Sequence, residues 1–180
     1  AQVYLSGFYF GDGQEKTEIE DSYVLAKAGT MMYNIGSITK GEYDEFGFSV
    51  GVDSVANHAD PASWPSTNAL SSNNPDHAHW SWNSGYIFIK GEGLVDTTAN
   101  MTGTANAPFI YHIGMDMFRN DLSFQTDKTV DGDFTMMVMF DFVELFDGID
   151  LRADPVSHTM NNMPAAMALS NNVSDAVSIQ

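Results

Sequence analysis

The chain contains no cysteine, so it forms no disulfide, holds no metal through thiolate and runs no thiol chemistry. Any metal has to be held by imidazole, carboxylate or thioether, which makes the histidines the residues to follow. Basic residues are almost as scarce: seven Lys and Arg stand against 24 Asp and Glu, for a formal net charge of -17. A surface of that sign repels phosphate backbones and anionic headgroups within the screening length, so no nucleic acid is expected as a partner. Cations or a basic protein would suit it, although the commonest meaning of such a charge is solubility. No run approaches the roughly 18 apolar residues that span a bilayer, so no membrane insertion is expected. The sequence opens directly into Gln2-Val3-Tyr4, without a basic and then apolar leader. Together with the lack of cysteine, few lysines and many Asn, Ser, Thr and Gly residues, this reads as the mature form of an exported protein, secreted or at the cell surface.

Catalytic signatures are missing too. There is no G-x-S-x-G elbow, and nothing in the order of Ser, His and Asp pairs a nucleophile with a base, so the chain is not expected to be an enzyme. The acidic residues Asp141, Glu144, Asp147 and Asp150 recur at spacing three. They lack the D-x-[DN]-x-[DN]-G order of a calcium loop and read as a solvated edge. Eleven methionines, with Met115 and Met160 close in sequence to histidines, offer thioethers for Cu(I) but are explained as well by core filling.

What the sequence does have is core material: 43% hydrophobic residues and, within 180 positions, 12 Phe, 7 Tyr and 3 Trp. That supports one domain over residues 1–180. Tyr4 to Phe10 reads as a strand, with Gly11-Asp12-Gly13 as the turn of a hairpin. Ser22 to Ala26, Met31 to Ile38 and Phe46 to Val52 read as further strands. From Asp53 to Asp76 the apolar rhythm fails and a long surface loop is expected. After it, His79 to Lys90, Pro108 to Met115 and Phe134 to Phe142 read as strands. One short helix is expected at Pro164 to Ser170, with proline in its first turn and Asn161-Asn162 suited to capping, and one helical turn at Val143 to Phe146. The fold class is all-β, an antiparallel β-sandwich of Greek-key type with a long loop and a short C-terminal helix.

The five histidines lie in or beside irregular segments or strands: His58 in the loop, His77 and His79 at its exit, His112 in a strand, and His158 near the helix. A sandwich can bring distant strand ends together, and neutral imidazole is a common copper or zinc ligand. A single histidine is nonetheless more often a surface or hydrogen-bonded core residue. The segment His77-Ala78-His79-Trp80-Ser81-Trp82-Asn83-Ser84-Gly85-Tyr86 is the densest in chemistry. As a regular strand it would place His77 and His79 on one face and Trp80, Trp82 and Tyr86 on the other. Two readings stay open there: core anchors with solvated histidines, or one site assembled through a bulge.

These residues carry a resemblance. Gly51-Val52-Asp53-Ser54, then His79-Trp80-Ser81-Trp82-Asn83-Ser84-Gly85-Tyr86-Ile87-Phe88-Ile89-Lys90-Gly91-Glu92-Gly93, then Tyr111-His112-Ile113-Gly114 and His158-Thr159-Met160-Asn161, resemble the MbnP-like proteins found with methanobactin and related copper gene cassettes. The resemblance covers most of the chain. It implies an extracytoplasmic sandwich, in the periplasm or at the cell surface, binding one copper ion through histidines and a kynurenine made from tryptophan, with a partner dihaem enzyme of the MauG and cytochrome-peroxidase type performing the oxidation. Opening the indole would create an amine nitrogen and a carbonyl, ligands that tryptophan lacks. The residues it implicates are Trp80 and Trp82 as kynurenine precursors, His112 and His158 as metal ligands, and His79 by its adjacency to Trp80.

The function expected is therefore copper scavenging or transfer. The rival is a structural surface module or filament subunit. A calcium-dependent carbohydrate-binding sandwich would rest on Trp64 and the acidic excess. The chain begins almost at the strand that family members place after one or more others, so an open sheet edge is expected. Val173 to Gln180 could cover it as an added strand, or self-assembly by strand donation could complete it.

Overall fold

The computed structural model describes residues 1–81, 84–100 and 102–180. The described residues form β1 (Gln2–Gly11), β2 (Lys16–Glu18), β3 (Tyr23–Lys27), β4 (Gly41–Val50), β5 (His79–Ser81), β6 (Gly85–Val95), β7 (Ala107–Gly114), β8 (Asn120–Val130), β9 (Val138–Phe140), β10 (Val156–Ser157) and β11 (Val177–Ile179). Short helices are α1 (Ser54–Asn57), α2 (Phe142–Leu145), α3 (Met163–Asn171) and α4 (Val173–Ala176), with single 3-10 turns at Pro61–Ser63 and Asp116–Phe118.

The protein is mostly β. Among the described residues nine strands join in one sheet along the path β10-β7-β6-β1-β4-β8, with β2, β3 and β5 attached beside it, while β9 and β11 form a separate pair. β1 is the centre of this arrangement. It pairs β3 through Gln2 to Ser6 and β2 through Tyr9 to Gly11. Leu5 to Gly11 also pair β4, and Gln2 and Val3 pair β6. Because these registers overlap, β2 and β3 occupy one edge of β1, and β4 and β6 the other. Its backbone is thus paired on both edges, and its side chains are buried on both faces from Val3 to Ser6, in keeping with a sequence nearly continuous in apolar residues.

The halves of the sheet close on each other as a sandwich. Tyr4, Phe10, Phe46, Phe48 and Val50 from one half, and Tyr86, Phe88, Ile89, Tyr111 and Ile113 from the other, are all buried. Tyr4 and Tyr86 meet edge to face at 5.3 Å between ring centroids. Burial of the Tyr4 phenol pushes its pKa up to about 12, against a lowering hydrogen bond from the Ala78 backbone.

Several expectations change. Met31 to Ile38 is not a strand; Met31 and Met32 are exposed, and Ile35 and Ile38 pack against the core without entering a ladder, so β-branched and aromatic content misleads where no neighbouring strand pairs with it. The run His79 to Lys90 is not one strand but the hairpin β5–β6, with His79 paired to Tyr86 and their rings 4.6 Å apart. Tyr86 therefore stands beside His79 rather than on the opposite face. Phe134 to Phe142 contributes only Val138–Phe140. β8 was not anticipated: its inward positions include Thr126 and Lys128, which blunt the alternation expected of a strand. The helical expectations hold at α2 and α3, where Asn162 caps α3 by accepting from the Ala165 amide at 3.3 Å.

The edge argument is also corrected. β1 lies inside the sheet, and β11 pairs β9 rather than covering it. The pairing of β10 with β7 is parallel, in a sheet whose other ladders are antiparallel among the described residues.

The β5–β6 hairpin is held by Asn57, fully buried at the end of α1. Its Oδ1 accepts from the Tyr86 amide at 2.8 Å, and its Nδ2 donates to Asp116 Oδ1 at 2.6 Å. Gly85 adopts φ +72 with the Asn57 carboxamide where a Cβ would stand, so only glycine fits there. Asn57→Ala leaves a buried amide donor unpaired and is expected to destabilise the protein by about 1–3 kcal/mol. Urea unfolding checks this; an unchanged midpoint would show that water replaces the carboxamide at no cost.

Candidate metal centre

Parallel pairing sets Val156 opposite Ile110 and Ser157 opposite Tyr111. The next step in that register carries His158 to His112. Their Nδ1 atoms are 3.2 Å apart, with ring centroids at 4.8 Å and planes inclined by 70°. Metal–imidazole bonds of about 2.0 Å place two nitrogens on one ion roughly 2.8–3.3 Å apart for right-angled to tetrahedral ligand angles. The two nitrogens already stand at a chelating separation.

His112 is oriented by a residue that sequence reading did not single out. Its Nε2 lies 2.7 Å from Glu92 Oε1, and Lys90 Nζ is 3.5 Å from the same oxygen. The hydrogen bond from His112 holds the Glu92 carboxyl below its usual range, with burial opposing and Lys90 adding a further lowering. An ionised carboxylate only accepts, so Nε2 carries the proton and the His112 Nδ1 lone pair faces His158. Metal-binding histidines are commonly fixed in this way by a carboxylate behind the ring. The available signal was Glu92 between two glycines on the strand that pairs with that of His112.

Gly114 completes the H-I-G motif. Ile113 is fully buried, whereas Gly114 lies on the face of β7 shared with His112. A Cβ at Gly114 would stand 2.4 Å from the Tyr86 carbonyl oxygen and 2.9 Å from Trp80 Cζ3, so glycine is required by the close approach of β6 and also lets the Trp80 ring lie against this strand. The structure thus sets Trp80 against Gly114, two residues along β7 from His112. Trp82, the other candidate precursor, lies outside the described residues.

The remaining histidines are elsewhere. His79 lines a polar cleft of about 320 Å³ with His77, Asp76, Gln2 and Lys90. Its Nε2 is buried without a hydrogen-bond partner. Burial lowers the His79 pKa, and the neighbouring His77 lowers it further. His77 Nδ1 is 2.8 Å from the Asn74 carbonyl, and His58 Nε2 is 3.3 Å from Asp116. Among the described residues no three His, Asp or Glu side chains group as metal ligands. The centre is therefore a pair of imidazoles, and the structure does not bring His79 to it as a third. Asp141 and Asp150 accept from the amides of Val143 and Arg152, which accounts for two members of the acidic run as local caps. Trp64, the residue on which the carbohydrate reading rested, packs its ring on Tyr23 at 5.3 Å.

A family model described as MbnP matches residues 1–163 of the 180. The chain belongs to the MbnP family. No curated protein and no solved structure matches it. The MbnP match contains every element of the centre: Trp80, Glu92, His112, Gly114 and His158. The family link to methanobactin associates the chain with copper, and two imidazole nitrogens suit that metal, which stands at the top of the divalent affinity order.

Burial lowers the His112 pKa below the ordinary 6.5, while the hydrogen bond and charge of Glu92 raise it and His158 and Lys90 lower it. Because the net shift is downward, the stability linked to His112 is fully present above pH 6.5 and is lost as pH falls through the lower folded value. Glu92→Gln removes the carboxylate charge and leaves a neutral carboxamide oxygen as the acceptor for Nε2–H, so His112 is expected to titrate lower still, as followed through its imidazole resonances by NMR. An upward shift would mean that Glu92 is not the partner fixing this ring.

Proposed function

We propose that this MbnP-family protein holds one copper ion between His112 Nδ1 and His158 Nδ1 and serves in extracytoplasmic copper scavenging or transfer rather than in catalysis. The observation that carries this reading is the 3.2 Å separation of the two nitrogens, with the Glu92 carboxylate behind one of them. When bound, copper would supply a redox-active, imidazole-preferring cation. The chain's own residues orient the ligands, and the proton shared between the two Nδ1 atoms has to leave as the metal enters, so acid opposes binding. His112 is largely enclosed whereas His158 is exposed. This asymmetry favours a site that exchanges its metal over a closed structural one.

Trp80 is the tryptophan we assign to the further ligand. Conversion to kynurenine adds two oxygen atoms and removes one carbonyl unit, with the oxidising equivalents delivered by a partner dihaem enzyme of the MauG and cytochrome-peroxidase type. The aryl amine so formed would arise from a ring that lies against Gly114, beside His112. The rival structural reading has one feature in its favour: β8 runs from Asn120 to Val130 and pairs β4 alone among the described residues, leaving a long edge open to strand addition.

The wild-type protein is expected to retain about one copper per chain after dialysis, in line with a single imidazole pair. His112→Ala and His158→Ala should each lower that retention sharply. Wild-type-like copper in both variants would overturn the assignment. Peptide mapping of native-source protein is expected to find the kynurenine mass at Trp80. Unmodified Trp80 and Trp82, together with concentration-dependent growth in light scattering, would favour the structural module instead.

A further inference from the structure

We propose that Thr159 is the peg of a docked strap, residues 156–162, and that its hydroxyl sets how long a metal stays between His112 and His158; this rests on the metal-binding reading above. Thr159 is almost completely buried. Its Oγ1 donates to the His112 carbonyl at 3.0 Å and accepts from the Gly114 amide at 3.0 Å. One side chain thereby stands in for a strand partner, closing the backbone groups on either side of Ile113 where β10 has already ended.

The other polar contacts around His158 have a different character. The His158 amide donates to Asn161 Oδ1 at 2.7 Å, and Ser157 Oγ donates to the Asn162 carbonyl at 3.1 Å. Both shape the strap from within and leave it unattached to β7. Attachment before His158 comes from the two-residue ladder, the Ile110 amide on the Pro155 carbonyl at 2.8 Å and the Tyr111 hydroxyl on the Asp154 carbonyl at 2.6 Å. Attachment after it comes from Thr159. His158 is bracketed between the ladder and the peg.

The backbone at Thr159 does not favour its own conformation. Its φ is +58, and the Met160 amide donates back to the His158 carbonyl at 2.7 Å. That is the pattern of a γ-turn with positive φ, which is rare and unfavourable, the more so for a β-branched residue. Such a conformation persists only where surrounding contacts over-determine it. Here the two hydrogen bonds of the hydroxyl do so. Releasing them would let the turn relax and swing His158 away from His112, opening the chelate from its exposed side while the strand-borne ligand stays in place. The geometry points to strap undocking as the step that limits metal release.

Three variants separate the peg from the backbone conformation. Thr159→Ser keeps the hydroxyl; Thr159→Val removes it; Thr159→Gly removes it and also relieves the positive φ. In the metal-free protein, exchange of the Gly114 amide with solvent, measured by NMR, is expected to match wild type in Thr159→Ser and to quicken in both Thr159→Val and Thr159→Gly. In protein loaded with Cu(II), release to excess EDTA should be about tenfold faster in the two variants without a hydroxyl, and close to wild type in Thr159→Ser. Thr159→Gly that retains Cu(II) as long as wild type would overturn the proposal, since the backbone conformation alone would then account for the strap. If Thr159→Val fails to fold, the Ser and Gly variants carry the comparison. A wild-type protein that binds no Cu(II) would sink the metal-binding reading, while Gly114 exchange would still decide whether Thr159 pegs the strap.

Discussion

The pairing of Val156 and Ser157 with Ile110 and Tyr111 is a ladder of two residues, yet the candidate centre hangs from it. Because the pairing is parallel, the chain leaving β10 runs alongside the end of β7 instead of turning away, and His158 arrives next to His112. An antiparallel partner in that position would carry the following residues towards Phe109 and leave the imidazole of His112 alone. The segment between β8 and β10 makes the parallel approach possible. It spends residues 131 to 155 on β9, α2 and a series of turns, the kind of long excursion that parallel strands require. Phe146 anchors this excursion, with its ring set edge to face against Phe109 and Tyr111 at 5.5 and 5.3 Å. The aromatic contacts on one face of β7 therefore fix the route that brings the second histidine to the other.

Much of this was legible in the residues, though unevenly. The dense apolar run of β1, the turn after it and the capped helix after Asn162 follow directly from local pattern, because each is decided by neighbours a few residues away. The H-I-G and His-Thr-Met-Asn segments could be singled out by resemblance, and the structure brings His112 and His158 together. Their physical content was not visible in the sequence. Gly114 is small because the Tyr86 carbonyl and the Trp80 ring lie on it, and Thr159 matters because its hydroxyl meets the backbone of a strand 45 residues earlier. Both depend on long-range register, which alternation cannot supply. Periodicity misled most at His79 to Lys90. A strict two-residue alternation cannot cross from one strand of a hairpin to the other, and the pairing of β5 with β6 places Tyr86 beside His79. Glu92 escaped notice for a related reason: a carboxylate in a chain with 24 acidic residues carries little information until its partner is known.

The two halves of the centre differ in how firmly they are held. His112 stands on β7 inside a long antiparallel ladder with β6, with its far nitrogen tied to Glu92 and its ring largely enclosed. His158 stands on a strap with one short ladder and one side-chain peg, and its ring is exposed. A site in which both ligands were as rigid as His112 would bind more tightly through pre-organisation but would have no low-cost way to open. One in which both were as loosely held as His158 would lose more conformational freedom on binding and hold the metal weakly. In the proposed site, one ligand of each kind keeps a fixed nitrogen in place for an arriving ion and leaves the other free to complete or break the chelate. The acidic surface acts in the same direction, since a charge of -17 concentrates cations near the protein over a screening length. Under the proposed copper-holding reading, capture is favoured by the charge of the whole molecule, whereas release is set by the few contacts of a single strap.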